Sequence, residues 1–436
     1  MRKKRKKNSL MFFNKIRNII YSNKFREQNR NSNRDFTRQR KLPFPKLILF
    51  MLNIVKQSLQ KELTQFYLNF SKEKNITNSA FCQSRMKLNY TAFIELNNTI
   101  IKEFYTDNNF KLWKGFRLLG IDGSKMQLPL TLEMIESFGY AQNSSNTIIP
   151  MAQTSFCLDL LNKMIINAEL DRYETSEYNL ALKSIEKCNL KDLLIYDRGY
   201  DAIWFMLFHQ IKKKDFIIRM RRNSIKEIED FFYSNEKSNI LEINELHENS
   251  DKQIKRLGIK FESFKIRLVK VFLKNNEVEV LATSLLDKEK YPDEEFKWLY
   301  SQRWGIETEF DHLKNNLMIE NFTGLSKLSI AQDFFANAFV ANMQQIIIRD
   351  VEDEIKEEKK DAEYEYKVNK NLSLGFMKDR IIDIITTRND NKKEKKLEEL
   401  KKLFKINPTP IREGRQFPRV FKKTCKKFYM KKKRSI

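Results

Sequence analysis

Two aspartates stand directly after short apolar runs in the first half of the chain. Asp122 follows the run Leu-Leu-Gly-Ile, Asp197 follows Leu-Leu-Ile-Tyr, and a glycine lies one or two residues beyond each. Such runs are typical of buried strands, and sites in α/β sheets are built where strands end. Each aspartate could instead be a turn residue or a helix cap. As a pair they are candidates for binding a hard cation, because such ions prefer carboxylate oxygens.

A third carboxylate lies on a segment with helical periodicity. Residues 291–317 have an acidic first turn after Pro292, which predicts one continuous helix. At about 100° per residue, four polar side chains share an arc of about 60°: Tyr300, Arg303, Glu307 and Lys314. A carboxylate among two cations and a phenol fits phosphate handling. The alternative is an exposed face with an ordinary pair between residues four apart.

The same angular estimate separates the neighbours of Glu307. Asp311 falls on the same face and is a rival carboxylate, whereas Glu309 points away from it. Trp304 is predicted to lie in the core. Glu307 is therefore the preferred third carboxylate of the candidate set.

Histidine and cysteine offer no competing metal site. Neither residue type forms a pair at metal-ligand spacing: the residues are His209, His247, His312, Cys82, Cys157, Cys188 and Cys425. The spacing favours neither a zinc knuckle nor a disulfide framework. It predicts a metal bound by carboxylates, Mg²⁺ or Mn²⁺, and a protein of the reducing cytoplasm.

Positive charge is concentrated at the two ends of the chain. The net charge is +25; residues 1–46 carry 16 Lys and Arg against two Asp and Glu, and residues 391–436 carry 18 against four. These ends predict a polyanionic partner such as DNA, since Lys and Arg placed on phosphates release counterions. Solvated tails are the alternative. No apolar run reaches the roughly 18 residues of a membrane span, so we expect no membrane association.

The first part of the chain is predicted to contain two regions. Residues 1–42 are basic and Asn-rich, which indicates a flexible arm. Residues 43–115 place apolar residues at helical spacing, which indicates a small helical domain that could bind DNA. Within it, residues 79–85 could form a helix-turn-helix-like reading surface or belong to a plain helical bundle.

The rest of the chain is predicted to contain one α/β domain and a charged end. Residues 116–345 alternate between strand and helix patterns, which indicates an α/β class with a mixed sheet. Residues 223–290 are rich in strand patterns and form an insertion into that sheet or an extension of it. A buried helix is predicted at 329–351. Residues 346–436 indicate a charged helical segment followed by a basic tail.

The ordered set of motifs resembles the IS-four family of bacterial insertion-sequence transposases. The family's YREK signature is matched in order and spacing by Tyr300, Arg303, Glu307 and Lys314. Asp122 in IDGSKMQLP and Asp197 in YDRGYD are similar to the family's first and second catalytic aspartates. The resemblance covers roughly residues 43–345 and leaves out both basic ends.

The resemblance implies a ribonuclease H-like catalytic domain with a β-rich insertion before the Glu307 helix. It implies that Asp122, Asp197 and Glu307 bind two Mg²⁺ or Mn²⁺ ions, which would lie about 4 Å apart. The activity would be DNA cleavage and strand transfer at the terminal inverted repeats of the element, followed by joining to target DNA. A homodimer is expected, because two ends must be brought together.

The resemblance also implies contacts with DNA. Tyr300, Arg303 and Lys314 would contact DNA near the cleavage point, as their counterparts do in the family. Arg198, beside the second aspartate, is a further candidate phosphate contact or an ordinary surface residue. We expect the protein to be cytoplasmic and associated with the nucleoid when bound to DNA.

Three other interpretations account for part of the sequence. A ribonuclease H-fold nuclease would cut nucleic acid without strand transfer. A catalytically silent relative would keep the fold and bind DNA only. A basic scaffold protein would explain the charged ends but not the ordered Asp, Asp and YREK motifs.

Overall fold

The structure is a computed structural model, and it divides into two compact units. It describes residues 2–38, 40–53, 57–70, 76–106, 110–142, 146–189, 191–273 and 277–412. Unit 1 comprises residues 1–108, 126–152 and 311–436, and unit 2 comprises residues 109–125 and 153–310. The basic tail predicted at the end of the chain lies beyond residue 412, outside the described residues.

The helices and strands of the described residues are as follows. The α-helices are α1 (Arg2–Ile20), α2 (Asn23–Asn29), α3 (Phe44–Met51), α4 (Leu59–Phe70), α5 (Asn78–Arg85), α6 (Thr91–Phe104), α7 (Leu132–Phe138), α8 (Glu177–Ile185), α9 (Ile203–Ile211), α10 (Lys226–Tyr233), α11 (Glu248–Arg256), α12 (Glu295–Ser301), α13 (Trp304–Asp311), α14 (Lys327–Glu358), α15 (Lys370–Thr386) and α16 (Asp390–Ile406). The strands are β1 (Arg117–Gln127), β2 (Tyr140–Gln142), β3 (Ile148–Asp159), β4 (Met164–Arg172), β5 (Asp192–Tyr196), β6 (Asp215–Arg219), β7 (Ser238–Ile243), β8 (Phe264–Phe272), β9 (Val278–Thr283), β10 (Glu365–Lys367) and β11 (Thr409–Ile411). A 3₁₀ helix covers Arg198–Tyr200 and a π-helical turn covers His312–Asn316.

A nine-stranded mixed sheet confirms the predicted α/β class. Its order is β2-β3-β1-β5-β6-β9-β8-β7, with β4 paired to β3. Strands β1, β5 and β6 run parallel to one another, whereas β6, β9, β8 and β7 pair antiparallel. The segment 223–290 therefore extends the sheet through β7, β8 and β9, the second of its two predicted arrangements.

A buried ion pair fixes the register of β1 and β5. Arg117 and Asp192 are partners in the parallel ladder and begin the two strands. Arg117 donates from Nε to Oδ1 of Asp192 at 2.8 Å and from Nη2 to Oδ2 at 2.7 Å. Paired donors that match both carboxylate oxygens bind only in a narrow geometry. The pair therefore specifies which residues of the two strands lie side by side further along.

A buried histidine anchors the end of β5. His209 of α9 places Nδ1 at 2.8 Å from the carbonyl oxygen of Phe205 and Nε2 at 2.9 Å from the hydroxyl of Tyr196. Because a carbonyl oxygen only accepts, Nδ1 carries the proton and Nε2 accepts from Tyr196. Tyr196 is the last residue of β5 and immediately precedes Asp197. The histidine thereby holds the strand end next to one of the predicted site residues.

The long helix α14 organises the helices of unit 1, and it confirms the buried helix predicted near 329–351. Its N terminus has a capping box between Ser326 and Ser329. Buried polar side chains tie it to its neighbours: Asn342 donates to Oδ1 of Asn97 on α6 at 2.7 Å. Lys401 of α16 pairs with Asp350 at 2.8 Å. Among the described residues, no helix has the length and apolar character needed to cross a bilayer.

The prediction of a flexible arm at residues 1–42 is wrong for most of that segment, which contains α1 and α2. The apolar residues Phe12, Phe13, Ile16 and Ile20 of α1 are buried on one side of the helix. Ser9 of the same helix donates to the carboxylate of Asp350. The basic composition concealed this amphipathic spacing, whose buried face stabilises a helix that charge alone would leave unfolded.

The helices of residues 43–115 belong to unit 1 and not to a separate small domain. Arg85, at the end of α5, is buried and donates through Nε to Gln332 and through Nη2 to Asp333, both on α14. A side chain held in this way is not available to read DNA bases. Of the two predicted roles for residues 79–85, the contacts of Arg85 favour the helical bundle.

The prediction of one continuous helix at 291–317 is also wrong. The segment contains α12, α13 and the π-helical turn, and Gln302 and Arg303 form a turn between the two α-helices. At this junction Gly305 donates to the carbonyl of Gln302 and Ile306 to that of Arg303. These bonds span three residues, as in a 3₁₀ helix, so the side-chain directions of α12 and α13 follow no single 100° period.

We predict that His209 makes the stability of unit 2 depend on pH. Burial lowers the pKa of His209 to about 4, although its hydrogen bond to Phe205 acts in the opposite direction. The unfolded chain takes up this proton near pH 6.5 and the folded chain does not, so stability is retained above about pH 6.5 and lost as the pH falls toward 4. The loss attributable to His209 is up to about 3 kcal/mol.

Urea unfolding of the wild type and of His209→Gln at about pH 7 and about pH 5 measures this effect. The variant should be less stable at neutral pH but should lose less stability on acidification. Equal losses in the two proteins would show that His209 does not titrate in this way.

Candidate active site

The parallel register of β1 and β5 sets two predicted aspartates side by side. Gly120 lies opposite Ile195 in the last pair of the ladder. Asp122 lies two residues beyond that pair on β1, and Asp197 directly follows the end of β5, so the register brings the two aspartates to the same level. Neighbouring strands lie about 4.8 Å apart. Residues opposite each other in a parallel pair point to the same face. The two carboxylates lie close enough together for the negative charge of Asp197 to act on Asp122.

Each aspartate is oriented by a backbone amide just beyond it. Oδ1 of Asp197 accepts from the N–H of Gly199 at 2.8 Å, which caps the 3₁₀ helix that follows β5. Oδ1 of Asp122 accepts from the N–H of Gly123 at 2.8 Å. Asp122 does not stand at a strand end, in contrast to the expectation, because β1 continues to Gln127. It lies where the strand changes from buried to partly exposed residues.

The proximity of the two carboxylates changes the protonation of Asp122. Burial, and then the negative charge of Asp197, raise the pKa of Asp122 to about 7, while the amide of Gly123 and the charge of Arg303 act in the opposite direction. A carboxyl with such a pKa is half protonated at neutral pH. Two crowded carboxyl groups of this kind favour the binding of positive charge.

A fourth acidic residue, Glu177, lies beside this pair and was not predicted from the sequence. It opens α8, and a Cβ atom added to Gly123 would stand 2.8 Å from Oε1 of Glu177. Gln153 donates to the same Oε1 at 3.2 Å. The charge of Glu177 contributes to the raised pKa of Asp122. Because position 123 is a glycine, there is space for the carboxylate of Glu177 to lie close to it.

Glu307 is turned toward Arg303. The guanidinium Nη1 of Arg303 lies 2.8 Å from Oε1 of Glu307, which is the pairing between residues four apart that the sequence left open. Burial alone would lower the pKa of Arg303, but Tyr300, Glu307 and Asp197 raise it. Arg303 is therefore the positive charge that lies close both to Glu307 and to the two aspartates.

Two buried polar atoms of the YREK residues lack partners. The hydroxyl of Tyr300 and Nε of Arg303 are shielded from solvent and make no hydrogen bond within the described residues. Burial raises the pKa of Tyr300, against the effect of Arg303 and Arg219. Unsatisfied buried donors are costly, and in native proteins they often mark a position that a ligand completes.

The remaining predicted site residues have different surroundings. Arg198 is exposed, directly after Asp197. Lys314 lies on the π-helical turn in unit 1. The rival carboxylate Asp311 is the last residue of α13, just before that turn, and accepts from Asn315. The prediction that Trp304 lies in the core is wrong: its side chain is 64% exposed. Trp304 begins α13 after the helix break, so its direction does not follow from the period of α12.

The carboxylates fit a hard cation only in part. Their oxygen donors and the mutual repulsion of Asp122 and Asp197 suit Mg²⁺ or Mn²⁺. Among the residues described here, however, no three His, Cys, Asp or Glu side chains are gathered closely enough to hold a metal ion as they stand. The structure brings Asp122 and Asp197 together. The carboxylate of Glu307 instead pairs with Arg303, whose positive charge also acts on the two aspartates.

The chain belongs to the family of the transposase DDE domain. The sequence model of this family matches residues 113–343, which is more than half of the chain. The match contains Asp122, Asp197, Glu307 and the YREK segment. The class of protein expected from the motifs is thereby confirmed.

A match to one curated protein indicates which transposases within this family the chain resembles. The chain is 23% identical over 252 residues to transposase InsG for insertion sequence element IS4 of Escherichia coli (strain K12). The aligned part covers 57% of this chain and 55% of that protein, so the chain spans about half the length of its relative. Together with the family match, this relative confirms the resemblance to the IS-four transposases; the YREK signature itself is not tested by it.

One solved structure is similar over most of the chain. It is the cryo-EM structure of a piggyBac transposase synaptic complex with hairpin DNA. The likeness covers 90% of this chain and 85% of that one, with a TM-score of 0.45 and 11% sequence identity.

We predict that Glu177→Gln lowers the pKa of Asp122 from its value of about 7, because the substitution removes one of the negative charges that raise it. The carboxyl carbon of Asp122, followed by NMR in a chain labelled at Asp, measures the change. Glu174→Gln is the matched control: this glutamate is exposed and pairs with Arg172. If Glu177→Gln and the control gave the same Asp122 titration as the wild type, Glu177 would not belong to the cluster.

Proposed function

We propose that this protein is a transposase that binds the ends of its own mobile element and catalyses metal-dependent cleavage and strand transfer of DNA. The proposed fold of its catalytic domain is ribonuclease H-like, with Asp122, Asp197 and Glu307 as the catalytic carboxylates. The observation that carries the proposal is the register that sets Asp122 beside Asp197, within the matched DDE domain.

The same three residues are proposed to hold two Mg²⁺ or Mn²⁺ ions. Asp122 and Asp197 are already adjacent, and Glu307 would exchange Arg303 for the cation. Bound divalent cations would lower the pKa of an attacking water or 3′-hydroxyl and stabilise the departing oxygen. Gly123 and Gly199 orient the aspartates through their amides before any ligand is bound. Pre-orientation of this kind lowers the reorganisation needed in the transition state.

Four residues are proposed to contact the DNA near the cleavage point: Tyr300, Arg303, Lys314 and Arg198. The unpartnered hydroxyl of Tyr300 and the unpartnered Nε of Arg303 support this role, because a phosphate oxygen could accept from both. Release of Glu307 would also leave Nη1 of Arg303 able to donate to a phosphate. One arginine would thus pair either with the glutamate or with DNA.

A second candidate function is a nuclease that hydrolyses DNA without strand transfer. It uses the same carboxylates, and the two functions differ in whether a 3′-hydroxyl or water attacks. Incubating the protein with Mg²⁺, a DNA fragment carrying the sequences that border the reading frame and a supercoiled target plasmid separates them. Joined products support the transposase, and hydrolysed ends alone support the nuclease. Joining also requires two element ends in one complex, so it should be accompanied by a protein dimer.

We predict that Glu307→Gln reduces Mg²⁺-dependent cleavage at least about a hundredfold while DNA binding is retained, because the amide cannot replace a carboxylate ligand. Cleavage of an end-labelled fragment measures the rate, and gel retardation in EDTA measures binding. Asp311→Asn is the matched control, since Asp311 is exposed and carries the rival carboxylate. If Glu307→Gln cleaved DNA at the full rate and Asp311→Asn did not cleave it, Asp311 and not Glu307 would be the third metal ligand.

A further inference from the structure

We propose that an arginine-lined pocket in unit 2 binds a backbone phosphate of the DNA strand that enters the candidate active site. This inference rests on the proposed function and assigns a DNA contact outside the YREK residues. The pocket has a volume of about 290 Å³, and its charged lining consists of Arg198, Arg219, Arg221, Arg222 and Glu279.

The charge of this pocket is not neutralised by its own residues. Arg219 pairs with Glu279 at 2.9 Å, and Arg221 pairs with Asp201 at 3.3 Å. Within the part of the chain that the structure describes, no carboxylate pairs with Arg198 or Arg222. The guanidinium of Arg222 lies over the ring of Tyr233, which does not neutralise its charge. Two exposed guanidinium groups thus keep their charge, and the site favours an anion.

The pocket lies beside the candidate active site in the same sheet. Tyr196 is opposite Ile218 in the last pair of the parallel ladder of β5 and β6; Asp197 directly follows Tyr196, and Arg219 directly follows Ile218. Asp197, which follows β5, and Arg219, the last residue of β6, thus lie directly beyond the same pair of neighbouring residues. The pocket that Arg219 lines therefore lies beside the strand whose end is followed by Asp197.

The backbone links the pocket directly to the second aspartate. Nε of Arg221 donates to the carbonyl oxygen of Arg198 at 3.2 Å, and Arg198 immediately follows Asp197. The amide of Arg221 also donates to the side chain of Asp201 at 3.3 Å. The wall of the pocket is therefore built on the same turn that orients Asp197, so a ligand in the pocket has a defined position relative to that carboxylate.

The size and lining of the pocket select the type of anion. Pockets for small-molecule ligands are roughly 300–1,000 Å³, and about 290 Å³ is at the lower limit of that range. This space suits one phosphate with part of its sugar. Phe232 and Val278 supply apolar contact area beside the arginines. Guanidinium groups donate in pairs to phosphate oxygens, so this combination suits one nucleotide unit of a DNA backbone.

The test measures the salt dependence of DNA binding. The probe is a fluorescent duplex made from the DNA that borders the reading frame, titrated in EDTA so that it is not cut. Each phosphate contact that is lost reduces the slope of log affinity against log salt by about 0.9. Arg222→Gln should reduce the slope by about that amount and weaken binding roughly tenfold. The double variant with Arg198→Gln should reduce the slope by about twice as much.

Arg256→Gln is the matched control, because this arginine is exposed on α11 and does not line the pocket. It should keep the wild-type slope. Circular dichroism of all variants verifies that they are folded. An unchanged slope in the double variant overturns the pocket as a DNA contact.

A free anion is the other possible source of the phosphate chemistry. The control measures whether inorganic phosphate raises the melting temperature of the wild type but not of Arg222→Gln. If it does, and the salt dependence of DNA binding is unchanged in the variant, the ligand is a free anion and not DNA. If the wild type itself neither binds the duplex in EDTA nor cuts it in Mg²⁺, the proposed function fails together with the pocket. If the wild type binds and cuts while the variants keep its slope, the pocket inference and the DNA contact of Arg198 fail, and the rest of the proposed function stands.

Discussion

The parallel pairing of β1 with β5 is the constraint on which the candidate site depends. The buried pair of Arg117 with Asp192 specifies the register at one end, and five residues later the same register sets Asp122 beside Asp197. The negative charges of these two neighbouring carboxylates repel each other. Burial, and then that repulsion, raise the pKa of Asp122 to about 7. A proton, the charge of Arg303 or a bound cation can each offset this repulsion. In the proposed chemistry, divalent cations take the place of the proton and of Arg303.

Two arginines provide positive charge near this acidic pair, one on the same sheet and one at the turn before α13. Arg303 lies near the aspartates and pairs with Glu307, and Arg219 lies on the strand next to Asp197. DNA carries closely spaced negative charge, so it requires such surroundings to approach two carboxylates. The acidic pair is suited to cations and the arginines to phosphates. These residues all lie within the matched transposase domain, for which we propose both kinds of contact.

The strand-borne part of the site could be predicted from the sequence. Buried strands of Leu and Ile ending near an aspartate have a clear pattern, and the mixed sheet confirms the fold class that they indicate. Glu177 could not be found in this way. A glutamate in the first turn of a helix is common, because it interacts favourably with the helix dipole. Only the packing of α8 against Gly123 shows that it lies beside Asp122.

The failed predictions share a cause, which is that tertiary contacts override local patterns. The turn at Gln302 and Arg303 divides one predicted helix into two, so the exposed position of Trp304 did not follow from a single period. In residues 1–42 the basic composition suggested disorder. The buried face of α1 nevertheless folds, because Phe12 and Phe13 pack inside unit 1. Charge is a weaker guide than apolar spacing where the two disagree.

The central claim is that Asp122 and Asp197 act as one cation-binding unit, and a double-mutant cycle of Mn²⁺ affinity tests it most directly. Electron paramagnetic resonance of free Mn²⁺ gives the affinity of the wild type, Asp122→Asn, Asp197→Asn and the double variant. If the two carboxylates share an ion, each single substitution should lose nearly as much affinity as the double one, since residues that bind one ligand as a unit are not additive. Independent losses that sum to the loss of the double variant would contradict the account.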